Sequence, residues 1–298
     1  MSKADTRTVW TEQDYNFLIN NYQEMSYKQI GQILNKTRSA IQNKIKILGL
    51  KKPDKYIYNH SFFKEINTEQ KAYWLGFMYA DGYISKTKNG YCCGIELKAS
   101  DSLHLKKFNK DIEGNIEVSF RQREDSRIGT CNLCSLRLYS KEVFEDLKNL
   151  GCVENKSDKI TFPRLPENLI WHFLRGFFDG DGCIILNKQR KTMKFDFCSS
   201  SLEMLESIKS FLYENGIFSY IATSTNSKGV IERKIPNYRL YIAGMENGYI
   251  FGTKLYNGAT VYLNRKKEKF DQIVNEYNIK NRIESVGSHG GVRHKNPS

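Results

Sequence analysis

No apolar run in this 298-residue sequence reaches the roughly 18 residues needed to cross a bilayer. The N-terminal stretch MSKADTRTVW has no apolar segment of the kind a secretory signal carries. Neither membrane insertion nor secretion is expected. Cysteine is scarce and odd in number, seven in all, which argues for a reducing interior, cytoplasmic or inside an organelle, and against a disulfide framework. The CxxC pair Cys131 and Cys134 has no second pair or nearby histidine to complete a tetrahedral zinc site, so it reads as a strand carrying free thiols. His289 and His294 fall in a Gly-, Ser- and His-rich tail, 284–298, that reads as disordered and not as a ligand set. Walker, dinucleotide-binding and HExxH patterns are missing. So are intein-type junctions at either end, and protein splicing is not expected.

Positive charge is in excess. Lys and Arg total 46 against 33 acidic residues, a formal net charge of +13. A balance of that size favours a polyanionic partner, and nucleic acid is the commonest. Hydrophobic residues make up 40%, enough for a sizeable core.

Residues 1–52 read as a small helical module, joined by a charged, Pro-bearing linker at 53–61. Thr11, Ser26 and Thr37 are placed to cap three short helices, and Gly49 to stop the third. The expected buried positions are Trp10, Phe17, Leu18 and Tyr22, then Ile30, Ile33 and Leu34, then Ile41, Ile45 and Leu48. The third helix offers Arg38, Gln42, Asn43 and Lys46 outward, side chains suited to phosphates and base edges. With its Trp-Thr start and SAIQNK third helix, the segment resembles the Myb/SANT-like helix-turn-helix modules.

The remainder divides into two repeats, 62–160 and 161–283. Each runs apolar helix, Asp-Gly, two strands, helix, two strands, helix. The first opens on YWLGFMYADG (Tyr73 to Gly82) and the second on FLRGFFDGDG (Phe173 to Gly182). Gly76 and Ala80, and likewise Gly176 and Gly180, sit four apart on one helical face. Glycine in a helix costs up to ~1 kcal/mol relative to alanine, so these small residues need a compensating contact. The simplest is each other, with the two repeats docked helix to helix.

That docking places Asp81 and Asp181 at helix C-termini, with Gly82 and Gly182 expected as left-handed terminators. A carboxylate there opposes the helix dipole at a cost of ~0.3–1 kcal/mol, and two carboxylates brought together repel. A bound divalent cation reverses both penalties, and oxygen ligands on a hard ion point to Mg²⁺, with Mn²⁺ as a substitute.

The stretches WLGFMYADG (Trp74 to Gly82) and LRGFFDGDG (Leu174 to Gly182) resemble the paired motifs of the LAGLIDADG homing endonucleases. The resemblance implies an α+β fold of two pseudo-symmetric αββαββα repeats, forming a saddle over double-stranded DNA, here preceded by the all-α module. It implies a monomer making a metal-dependent double-strand break at a long asymmetric site, with the gene carried by a mobile element: a mobile intron, an intein or a free-standing gene. By resemblance, Asp81 and Asp181 bind the metal, with the Ala80 and Gly180 backbone beside them, and Lys156 and either Lys266 or its neighbour Lys267 lie near the scissile phosphates. The glutamine that some members carry on the second strand is replaced at Ala99 and Ser199. Asp179, where the first copy has Tyr79, reads as a helix-side residue and not a ligand. The basic candidates for DNA contact on strands and hairpins are Lys86, Lys88, Lys98, Arg121, Arg123, Lys188, Arg190, Lys194 and Arg239. Two alternatives stay open: an RNA-splicing maturase acting on its host intron RNA, and a regulator on an inactive nuclease scaffold. Retention of both aspartates counts against the regulator.

Overall fold

The computed structural model describes residues 9–51, 56–88, 90–125, 129–154, 159–189, 192–223 and 236–277. The expected tail, with His289 and His294, lies outside them, as do Lys156 and Arg190. Two compact units emerge, residues 1–57 and 58–298.

The first unit is three helices, α1 (Glu12–Asn21), α2 (Tyr27–Ile33) and α3 (Arg38–Ile47). Thr11, Ser26 and Thr37 each accept a hydrogen bond from the backbone N–H three residues on, satisfying a donor that the helix start leaves open. Leu18, Ile30, Ile41 and Ile45 form the core, with Trp10, Phe17, Tyr22, Leu34 and Leu50 packed against it. Ile33 and Leu48 are exposed, contrary to their expected burial. The seven-residue α2 has room inward only for Ile30, Gly31 and Leu34. Gly49 turns the chain at φ 65°, so Leu50 enters the core in place of Leu48. Arg38, Gln42, Asn43 and Lys46 all lie exposed along α3.

The second unit is α+β. It runs α4 (Glu69–Ala80), β1 (Gly82–Thr87), β2 (Gly90–Lys98), α5 (Ser102–Asp111), β3 (Ser119–Asp125), β4 (Gly129–Leu138) and α6 (Lys141–Asn149). The order then repeats as α7 (Glu167–Asp181), β5 (Gly182–Asn187), β6 (Thr192–Ser199), α8 (Leu202–Glu214), β7 (Tyr220–Thr223), β8 (Tyr238–Ala243) and α9 (Met245–Tyr256), with α10 (Asn264–Glu276) added. Each repeat makes a four-stranded antiparallel sheet, in the orders β1-β2-β4-β3 and β5-β6-β8-β7. The αββαββα pattern expected of each repeat is therefore present.

Helices α4 and α7 pack against each other more extensively than any other pair of helices. Strand residues Ile84, Ile95 and Leu136, and Ile184, Phe195 and Ile242, turn inward as the sheets' buried faces. The glycines make the approach possible. A methyl group on Gly76 would overlap the carbonyl oxygen of Phe173, and one on Gly176 that of Tyr73. The backbones touch, as the spacing of small residues predicts.

Gly82 and Gly182 are not left-handed terminators. Neither is among the positive-φ glycines, and Gly182 is extended, at φ −85° and ψ 166°. Each is the first residue of a strand, and a side chain there would strike Met78 or Phe178 one turn back. Tightness selects glycine at these two positions; backbone handedness does not.

Candidate functional site

The ends of α4 and α7 meet where the two repeats abut. A methyl group on Gly180 would run into the Ala80 side chain and lie 3.4 Å from both the backbone nitrogen and Oδ2 of Asp81. The Asp81 carboxylate thus rests against the backbone that carries Asp181. Among the described residues, no three His, Cys, Asp or Glu side chains cluster as a metal-ligand set.

Lys266 lies beneath this junction. It is 6% exposed, and its Nζ donates to the carbonyl oxygens of Phe178 (2.6 Å), Gly182 (2.6 Å) and Gly180 (3.4 Å). An ammonium there answers the carbonyls that a helix C-terminus leaves open and offsets its negative dipole end. Burial pushes its pKa down to about 8, against the opposing pull of Asp179 and of both motif aspartates. Lys266 therefore holds the end of α7 by its carbonyls, and Lys267 pairs with Asp271 one turn along α10.

Asp179 is fully buried and ties the repeats together. It accepts hydrogen bonds from Tyr73 Oη (2.8 Å, α4), Tyr256 Oη (2.7 Å, α9) and the Leu263 backbone N–H (2.7 Å). Its role is structural, in line with its reading as a helix-side residue. Tyr79, at the matching position of the first copy, donates instead to the Leu150 carbonyl. A second tie runs from Arg175, buried on α7, to Glu69 in the first turn of α4 (2.6 Å) and to the carbonyls of Val261 and Leu255. Asp179→Ala leaves the Tyr256 phenol and the Leu263 amide unpaired in the core, while Tyr73 keeps His104 Nε2 at 3.0 Å. It is expected to lower unfolding free energy by at least about 2 kcal/mol in a urea titration, since each orphaned group costs roughly 1–3 kcal/mol.

A cleft of about 630 Å³ opens beside Asp81 and Gly180. Glu96, Lys98, Asp101, Arg123 and Arg265 also line it. Arg265, at the start of α10, pairs across the repeats with Asp101 (3.1 Å). Glu96, Asp101 and Arg265 escaped the sequence reading because nothing local marks them; Asp101 and Arg265 stand 164 positions apart.

The pleat sorts the basic candidates. Lys98, Arg121 and Arg123 share the open face of the first sheet, and Lys194 and Arg239 that of the second. Lys86 alternates to the helix-covered side of its sheet, where its ammonium sits over Tyr91. Lys88 and Lys188 are exposed in the hairpin turns. Cys131 and Cys134, three apart on one strand, face opposite sides and cannot share a metal. Ala99 and Ser199 are not register equivalents. Gly82 pairs with Ile95, but Gly182 pairs with Phe197, because the β5–β6 turn is two residues longer. Ser199 Oγ instead accepts from the Ser201 backbone N–H.

Two apolar helices thus cross at glycines, and each ends in an aspartate and opens a four-stranded sheet. Residues 168–256 match the family model described as the LAGLIDADG-like domain. The fold is similar to that of the homing endonuclease I-WcaI bound to its DNA recognition sequence, with a TM-score of 0.51 and 20% identity over 76% of this chain and 97% of that one. Among curated proteins, the chain is 25% identical over 198 residues to an uncharacterized protein of Methanocaldococcus jannaschii, MJ1054, covering 61% of this chain and 21% of that protein. It is 24% identical over 238 residues to the ribonucleoside-diphosphate reductase NrdEB subunit alpha of Bacillus subtilis, covering 73% and 20%. The chain spans about a fifth of the length of these relatives.

Proposed function

We propose that this chain is a site-specific homing endonuclease that makes a double-strand break in a long, asymmetric DNA target by metal-dependent phosphodiester hydrolysis. One observation carries the reading: each of the two crossed motif helices ends in an aspartate, with the Asp81 carboxylate against the α7 backbone at Gly180, where the helix dipoles disfavour both acids. A fold selected for stability alone would replace one. Relatives of unrelated name share only a segment with this chain, which is what a module carried by a mobile element gives.

The donor set fits Mg²⁺. Asp81 and Asp181 supply oxygen ligands, and with so few protein ligands the ion would keep water and take phosphate oxygens, as Mg²⁺ commonly does. When bound, it activates water and neutralises the leaving oxygen. The protein's own part is positioning. Lys266 and the Gly76–Gly176 crossing fix the helix ends, and Arg265 offers its exposed fork to a phosphate in the cleft. The open sheet faces and α3 of the N-terminal unit supply DNA contacts, and one chain provides both cutting centres without a second copy.

The test is cleavage of a randomised duplex library by the full chain with Mg²⁺, read by sequencing the ends. Cuts at one shared sequence support the reading. Binding without cutting under both Mg²⁺ and Mn²⁺ refutes it and leaves a regulator, or a maturase if structured intron RNA binds. Arg265→Ala is expected to slow cutting about 10–100-fold with little change in melting temperature, as for loss of one positioned cationic group from a transition state.

A further inference from the structure

Each open sheet face carries one arginine locked to an acid on the second strand of its own sheet. On the first face, Arg121 donates through Nε to Glu96 Oε2 (2.9 Å) and through Nη2 to Glu96 Oε1 (2.7 Å). On the second, Arg239 donates through Nη1 to Asp196 Oδ2 (2.8 Å). Asp196 is 1% exposed, and its other oxygen has no hydrogen-bond partner. These acids are out of place on a surface meant for DNA. They repel phosphates and offset part of the charge of the arginine they hold, so phosphate contact alone gives no reason for them. A base contact has the opposite requirement. It needs the planar guanidinium held in one direction, and an arginine left free gives up substantial rotamer freedom to achieve that.

We propose, resting on the DNA-endonuclease reading, that Arg121 and Arg239 are base-reading residues that each recognise a guanine, with Glu96 and Asp196 as their positioning residues. Glu96 occupies the Nε edge of Arg121 and leaves the outer N–H pair, one on each Nη, free to meet guanine O6 and N7. Among the described residues, Lys98, Arg123 and Lys194 have no such carboxylate clamp, and serve the phosphates. The two pairs are not related by the repeat. Glu96 falls one residue beyond the Gly82–Ile95 pair, level with Asp81, whereas Asp196 pairs with Cys183, two residues further out from Asp181. That offset is about 7 Å along a strand, or about two base pairs. The two guanines therefore stand at unequal distances from the cut.

The experiment is selection of a randomised duplex library by the full chain in EDTA, with bound and unbound fractions sequenced. Arg121→Ala and Arg239→Ala should each erase a guanine preference at one position by about tenfold or more, leaving other positions intact. Glu96→Gln and Asp196→Asn should weaken the same position as their partner arginine, an effect that general destabilisation does not produce. If an alanine variant loses its fold by melting temperature, Arg121→Lys or Arg239→Lys keeps the charge while losing the fork, and must show the same loss. A uniform fall in affinity with an unchanged preference table, and a shallower salt dependence, assigns the arginines to phosphates and overturns the proposal. Failure of the wild-type chain to bind any duplex overturns the nuclease reading first, and this inference with it.

Discussion

Asp81→Asn and Asp181→Asn are each expected to slow double-strand cleavage by roughly a thousandfold, while leaving affinity for the target unchanged or higher. The two aspartates stand at the ends of the crossed helices α4 and α7, with Asp81 Oδ2 3.4 Å from where a Gly180 side chain would start. Removing one charge relieves repulsion between the acids and repulsion toward the DNA backbone. Binding therefore gains and catalysis loses. A hard cation contributes several kcal/mol to stabilising the charge that builds on phosphate oxygens, and each 1.36 kcal/mol is tenfold in rate. Single-turnover cleavage in Mg²⁺ and a gel-shift titration in EDTA separate the two effects. If either variant cuts at the wild-type rate, its carboxylate is not a metal ligand. If both lose binding in step with cutting, the aspartates shape the fold and not the chemistry.

The second large effect is structural. Gly176→Val forces a branched side chain into the carbonyl of Tyr73 and the backbone nitrogen of Phe77, and neither atom can swing aside as a side-chain tip would. Overpacking in a well-packed core costs about 1–3 kcal/mol, and a rigid backbone partner puts this site at the upper end or beyond. For a unit of this size we expect the melting temperature to fall by roughly 6–12 °C. Gly180→Ala meets a methyl of Ala80 and the flank of Asp81, so its cost should appear more in cleavage than in melting. Equal melting temperatures for wild type and Gly176→Val, measured by calorimetry, would show that the helices can part without penalty.

The sequence could be read where the physics is local. Caps at Thr11, Ser26 and Thr37 satisfy donors three residues away, and the four-residue glycine spacing is a property of one helix face. The helix crossing and the succession of helices and strands in each repeat followed from such patterns. What escaped depends on distant chain segments meeting. Arg265 finds Asp101 only after the second repeat folds against the first. Lys266 is one residue on, yet its α10 position turns it inward beneath the end of α7. Gly82 and Gly182 were assigned the right residue type for the wrong reason, because an Asp-Gly looks alike whether it frees the backbone or merely leaves no room. Register was also hidden: two extra residues in one hairpin shift every partner of β6, which is why Ala99 and Ser199 do not correspond.

The Asp179 knot bears on the history of the chain. Its three donors come from the first repeat's helix, the second repeat's last sheet-following helix and the segment leading into α10, which has no counterpart among the elements of the first repeat. Across the repeats Tyr79 meets Phe173 as Asp179 meets Tyr73, so a pairing of two first repeats would set Tyr79 against Tyr73 with no acid between them. Two second repeats would bring Asp179 without Tyr73, since Phe173 stands at that step and has no hydroxyl. Each half has come to supply what the other lacks. Neither half paired with a copy of itself would keep the full set of three donors to one acid.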